Sequence, residues 1–215
     1  MFDHGFYQSL GLGDVHRKVQ SGRRLDMEDG LRLFAGRNIL AVGALAHEVR
    51  TRLHGRAAYY VVNQHINYSN VCVNGCRFCA FGKEQGDALA FELSVEEILG
   101  KIRERRNGPI SEVHIVGGCH PDLPLSYYES ILRAIKALRS SVLIKAFTAV
   151  EIGHFAQREG ISTRDVLLRL KSAGLDLLPG GGAEIFSPRV RTMLCPQKAT
   201  GNEWLNIVRE AHQVG

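Results

Sequence analysis

The chain has 215 residues, 45% of them hydrophobic, enough for a globular domain with a real core. No apolar run reaches the ~18 residues that a bilayer-spanning helix needs, and the N-terminal Met-Phe-Asp-His-Gly lacks the basic-then-apolar pattern of a secretory leader. The net charge of +5 rests on bases interleaved with acids, as in Lys101-Ile-Arg-Glu-Arg-Arg106. That pattern reads as a solvated helix face, so no nucleic-acid or membrane partner is expected, while a positive field would draw in an anionic small-molecule substrate.

Residues 1–56 read as a helical extension and residues 57–215 as the main domain. In the extension, residues 26–34 and 38–53 carry apolar positions at helical spacing, and Gly55 is a natural stop. Gly11-Leu-Gly13 reads as a turn. An extended run from Ala57 to Tyr68, rich in Tyr, Val and Ile, leads into a cysteine-bearing loop. Beyond it, Ser94-Val-Glu-Glu97 is a capping box opening a helix with Val95, Ile98, Leu99 and Ile102 on one face. Glu112 to Val116 reads as a strand, Tyr128 to Leu138 as a helix, and Val142 to Phe147 as a strand. Val166, Leu167 and Leu170 mark another helix, Leu175 to Leu178 a fourth strand, and Thr200-Gly-Asn-Glu203 caps a last helix with Trp204, Leu205 and Val208 inward. Strand–helix alternation at this spacing predicts βαβ units and a parallel α/β barrel. The unusual residues all follow strands, on the rim where such barrels carry their chemistry. Only about four βα units are visible, so a fragment of a longer protein, or completion by another chain, is expected.

Cys72, Cys76 and Cys79 form a C-x3-C-x2-C run within Asn70-Val-Cys-Val-Asn-Gly-Cys-Arg-Phe-Cys-Ala-Phe81. Three thiolates on a short loop can hold three corners of a cubane iron–sulfur cluster, leaving one iron open to a small molecule. A zinc site would pair this run with further Cys or His, yet Cys119 and Cys195 stand alone. A disulfide framework fits five thiols poorly. Clustered free thiols point to a reducing, cytoplasmic setting. Gly75 lets the loop turn, and Phe78 offers an apolar ring beside the cluster.

The triplet with an aromatic residue before its last Cys resembles the signature of the radical S-adenosylmethionine enzymes, whose core is a partial TIM barrel of six βα units. That resemblance implies a [4Fe–4S] cluster held by Cys72, Cys76 and Cys79, with S-adenosylmethionine on the open iron. It also implies a reductant such as flavodoxin or ferredoxin. Reduction releases methionine and a 5′-deoxyadenosyl radical, which the protein aligns with its substrate. Within the family, His65-Ile-Asn-Tyr-Ser-Asn-Val-Cys72, Gly-Gly-x-His-Pro at 117–121 and Pro-Gly-Gly-Gly-Ala-Glu-Ile at 179–185 resemble one branch. It contains menaquinone-pathway radical enzymes and deazaflavin (FO) synthases. Lys145-Ala-Phe-Thr-Ala-Val-Glu-Ile152 is most similar to the aminofutalosine synthases, which add the radical to an enolpyruvyl benzoate. Cys119 stands where a Leu is usual.

Gly117-Gly118 is expected to leave backbone N–H groups open to S-adenosylmethionine, as a cofactor-binding pair alongside Phe78, Glu151 and Glu184. His120, between that turn and Pro121, is a candidate for proton transfer, and Glu184, after Gly180-Gly-Gly182, for catalysis and ribose contact. Glu151 could equally be a helix-start carboxylate. Cys119 reads as a filler thiol. Arg189 and Arg191 could clamp a substrate carboxylate, but surface placement is the expectation.

Overall fold

The computed structural model describes residues 2–104 and 110–215, so Arg105 and Arg106 of the basic run lie outside the described residues. The chain divides into two compact units, Met1–Tyr60 and Val61–Gly215.

The first unit is helical. α1 (His4–Ser9), α2 (Gly13–Gln20), α3 (Met27–Ala35) and α4 (Ile39–His54) pack around Tyr7, Leu12, Val15, Val19, Ala41 and Leu45. Side-chain caps start three of them: Asp3 on α1, Asn38 on α4, and a reciprocal Asp26–Asp29 box on α3. Gly55 closes α4 at φ +57°, where a Cβ would be strained. Asp29 is fully buried but receives Lys18 at 2.6 Å and Arg32 at 2.7 Å, so its charge is matched.

The second unit is α/β: β1 (Asn63–Ile66), α5 (Val95–Glu104), β2 (Glu112–Ile115), α6 (Leu125–Leu138), β3 (Leu143–Ala146), α7 (Ala149–Glu159), α8 (Thr163–Ala173), α9 (Pro188–Leu194) and α10 (Gly201–Val214). The strands pair in parallel in the order β1-β2-β3, with His65, His114 and Lys145 in register across all three. Alternation then sends Ile66, Val113, Ile115, Ile144 and Ala146 into the core with Ile98 and Ile102 of α5 and Ile131, Leu132 and Ile135 of α6. Such one-sided burial makes the sheet a wall, with helices behind and polar side chains in front. An aromatic knot of Tyr68, Tyr128, Phe147 and Phe155 plugs the C-terminal end of that core.

Three expectations change. Leu175–Leu178 is no full strand: it makes a single parallel bridge, Lys145 to Leu177, because the Asp176 carboxylate takes the Ile144 amide at 2.7 Å and Pro179 ends the ladder. α7 follows Thr148 directly, in keeping with the helix-start reading of Glu151, and leaves no room there for an open loop. On α10 the buried residue is Ile207, whereas Leu205 is exposed. Arg191 is neither clamp nor surface residue. Only 4% exposed, it donates to the Ala183, Ile185 and Ala199 carbonyls at 2.6, 3.0 and 2.7 Å and so fastens the loop that carries Glu184. Arg191→Met would leave these carbonyls unpaired, and denaturant unfolding is expected to register a loss of about 2–4 kcal/mol.

Candidate functional site

The cysteine loop runs from the end of β1 over the end of β2. Cys72 is anchored through its amide to the Lys83 carbonyl at 2.9 Å, and Gly75 turns the loop at φ +52°. The Arg77 amide reaches the Leu194 carbonyl at 2.9 Å, tying the loop to the end of α9. All three triplet thiols are free and border one cleft of about 350 Å³, together with Phe78, His114, Gly117, Gly118, Glu151, Glu184 and Lys198.

Their chemistry differs. Cys72 is drawn down to about 5, first by a hydrogen bond from the Cys119 thiol and then by the Asn74 and Cys119 amides, the latter at 3.4 Å. A thiolate is the form that ligates metal. Burial pushes Cys76 up, against the pull of Lys198. Cys79 accepts the Gly82 amide at 3.2 Å. Among the described residues, no three His, Cys, Asp or Glu side chains converge on a single metal ion. A cubane makes a different demand, one thiolate for each of three separate irons. Three free thiols around one cavity, one of them biased to thiolate, fit that demand.

The glycine pair works otherwise than expected. Gly117 N–H donates to Glu151 Oε1 at 3.1 Å, and Gly118 N–H to the Ser69 carbonyl at 2.9 Å, so neither donor is open. What matters is the missing Cβ. At Gly118 it would stand 2.1 Å from the Val71 carbonyl oxygen, and at Gly117 2.6 Å from the Tyr68 ring.

Glu151 is the most constrained group of the cleft. It closes a capping box on α7, taking the Thr148 amide at 2.7 Å, so the helix-start reading describes part of its role. Its other oxygen accepts the Tyr68 hydroxyl at 2.9 Å as well as Gly117 N–H. Burial pushes its carboxyl from 4.5 up to about 7, outweighing those hydrogen bonds. Glu184 lies across the cleft wall at φ +51°, a backbone state uncommon outside glycine, and pairs with Lys198 at 2.6 Å. Lys198 in turn stands 5.7 Å from the Phe78 ring centre, within cation–π range. Phe147, at φ +60°, is the other positive-φ residue besides glycine among the described residues; it redirects the chain from β3 into the cap of α7.

His120 is not brought to the cleft. It is 3% exposed, its Nδ1 accepts the Asp122 amide at 3.0 Å, and its Nε2 lies 3.0 Å from Glu92. Nδ1 holds the 120–123 turn and Nε2 ties that turn to Glu92, which is structural work. Arg189 is exposed and outside the cleft. Tyr68, His114 and Lys198 were not singled out in the sequence, although Tyr68 lies within the His65–Cys72 run and His114 alternates with buried residues on a strand leading to Gly117.

Two outcomes are expected. Gly118→Ala should displace the cysteine loop and abolish iron binding, measured by iron content after anaerobic reconstitution. Glu151 holds its proton in the fold at pH values where the unfolded chain has released it. Stability therefore falls as pH rises from about 4.5 to about 7 and levels off above, over a span of ~3 kcal/mol. Glu151→Gln should flatten that slope in denaturant titrations between pH 5 and 7.5.

Residues 66–215 match the family described as the Radical SAM superfamily. The chain is 40% identical over 201 residues to the aminodeoxyfutalosine synthase of Thermus thermophilus, covering 94% of this chain and 54% of that protein. It is also 42% identical over 180 residues to the FO synthase of Nocardia farcinica, covering 84% of this chain and 21% of that protein. The fold is similar to the FeFe-hydrogenase maturase HydG from Carboxydothermus hydrogenoformans, with TM-score 0.71 at 22% identity, over 97% of this chain and 47% of that one. The chain thus spans about half the length, or less, of the proteins it matches. With its cysteine triplet at the rim of a parallel sheet and this match over most of its length, the chain belongs to the radical S-adenosylmethionine superfamily.

Proposed function

We propose that this chain is the cluster-bearing part of a radical S-adenosylmethionine transferase, an aminofutalosine synthase. It would transfer the 5′-deoxyadenosyl group of S-adenosylmethionine, releasing methionine, to the double bond of 3-[(1-carboxyvinyl)oxy]benzoate, with rearrangement and loss of the carboxyl carbon giving 6-amino-6-deoxyfutalosine for menaquinone biosynthesis. The observation that carries this reading is the single cleft shared by Cys72, Cys76, Cys79, Gly117, Gly118, Glu151 and Glu184. The likeness to the Thermus thermophilus synthase supports the particular reaction.

The superfamily's cofactors are a [4Fe–4S] cluster and S-adenosylmethionine, and together, once reduced by a donor such as flavodoxin or ferredoxin, they supply the 5′-deoxyadenosyl radical. The chain's own residues hold and shield. Cys72, Cys76 and Cys79 would each ligate an iron. Glu151, poised near neutrality, is suited to receive an ammonium group once Tyr68 or Gly117 yields an oxygen. Glu184, exposed at the rim and clasped by Lys198, is placed to accept ribose hydroxyls. Phe78, Val116 and Val150 present apolar surface that excludes water, which a reactive radical requires. His120 acts at a distance, by holding the turn after Cys119.

Anaerobic reconstitution should load about four irons per chain, and Cys79→Ala should prevent it. Turnover with both substrates should yield a covalent adenosyl adduct. Free 5′-deoxyadenosine would favour a hydrogen-abstracting relative such as the cyclic dehypoxanthinyl futalosine or FO synthases. Bound zinc without cleavage of S-adenosylmethionine would leave a non-catalytic fragment. Glu184→Gln should raise KM for S-adenosylmethionine about tenfold.

A further inference from the structure

The front face of the sheet carries a polar row that the cluster chemistry does not use. His65, His114 and Lys145 stand side by side on β1, β2 and β3, and two residues earlier Asn63 stands beside Glu112. The imidazoles of His65 and His114 stack, with centres 5.1 Å apart and planes 14° from parallel. Lys145 Nζ meets Glu112 Oε1 at 2.7 Å, and Asn63 Nδ2 donates to the same oxygen at 2.7 Å. Asn67 Nδ2 lies 3.3 Å from His65 Nε2 and donates to the Val116 carbonyl at 2.9 Å. One nitrogen stands apart from this network. His114 Nε2 is shut off from solvent with no hydrogen-bond partner, and its residue lines the cleft.

A buried ring nitrogen with no partner is unfavourable, and in a folded protein it calls for a ligand or an ordered water. The cleft itself narrows the choice. Of the titratable groups lining it among the described residues, Glu151 is held by Tyr68, Thr148 and Gly117, Glu184 is paired with Lys198, the triplet thiols serve iron, and Cys119 is buried against Cys72 and Asn74. His114 is left; burial first, and then the nearby Lys145, favour its neutral form, which still has one ring N–H to donate.

We propose that His114 is a substrate-recognition residue, donating from Nε2 to a carboxylate of an aromatic acid bound in the cleft. The His65 stack fixes the ring plane, and Lys145, held by Glu112, stands beside it on β3. This inference rests on the function proposed above and names the side chain that reads its anionic substrate.

The test measures binding of 3-[(1-carboxyvinyl)oxy]benzoate to the reconstituted chain with S-adenosylmethionine present. His114→Leu is expected to weaken that binding about tenfold or more while leaving S-adenosylmethionine affinity unchanged, and His114→Gln, which keeps an N–H donor, to recover most of it. In the unaltered chain, labelled at histidine nitrogens, the probe should shift the His114 Nε2 resonance, a readout that needs no substitution. Binding that leaves this resonance in place, or that survives His114→Leu, overturns the assignment while the functional reading stands. Absence of binding to the unaltered chain overturns both.

Discussion

The close approach of the cysteine loop to the end of β2 governs the site. Val71 and Tyr68 press against Gly118 and Gly117 so tightly that no side chain larger than hydrogen fits. That contact brings the Cys119 amide and thiol to Cys72 and the Gly117 amide to Glu151. One steric condition thus fixes the Cys72 thiol, proposed to ligate iron, and a buried acid together. A ligand loop that carries only short-range turns of its own needs such a seat, because a cluster demands thiolates held in one arrangement.

Around that seat, burial is used against charge in opposite directions. Cys72 is ready to ionise because donors surround its sulfur, whereas Glu151 resists ionising because desolvation exceeds what its donors return. Groups separated in this way can coexist in one small cleft without a large net charge. The Glu184–Lys198 pair adds a neutral rim, and Arg191 holds its loop through backbone carbonyls. The front of the sheet follows the same economy: Lys145 and Glu112 cancel, and His114 Nε2 is left buried without a partner.

Much of the fold was legible in the sequence because its signals are local. Capping boxes at Ser94–Glu97 and Thr200–Glu203 need only residues three apart, and both form. Alternation on β2 and β3 and the 3.6-residue pattern of α6 and α8 likewise announced their elements. The fourth strand failed for a reason no local pattern carries: the Asp176 side chain competes for the Ile144 amide. The start of α7 was legible in Glu151 as a helix-start carboxylate, and the Thr148–Glu151 capping box forms there.

The chain by itself determined which residues can ligate, since three thiols at C-x3-C-x2-C spacing sit on one loop in any fold. It also determined that the chemistry would gather after strands. Tertiary structure alone decided which polar residues join them. His120 and Arg191 read as candidates by neighbourhood in sequence, yet their polar atoms are spent on nearby backbone groups and, for His120, on Glu92. Lys198, without a motif, reaches the site through loop packing, and Tyr68 reaches Glu151 through a hydrogen bond spanning 83 positions. Proximity between remote residues is a property of the packed core, and no spacing rule encodes it.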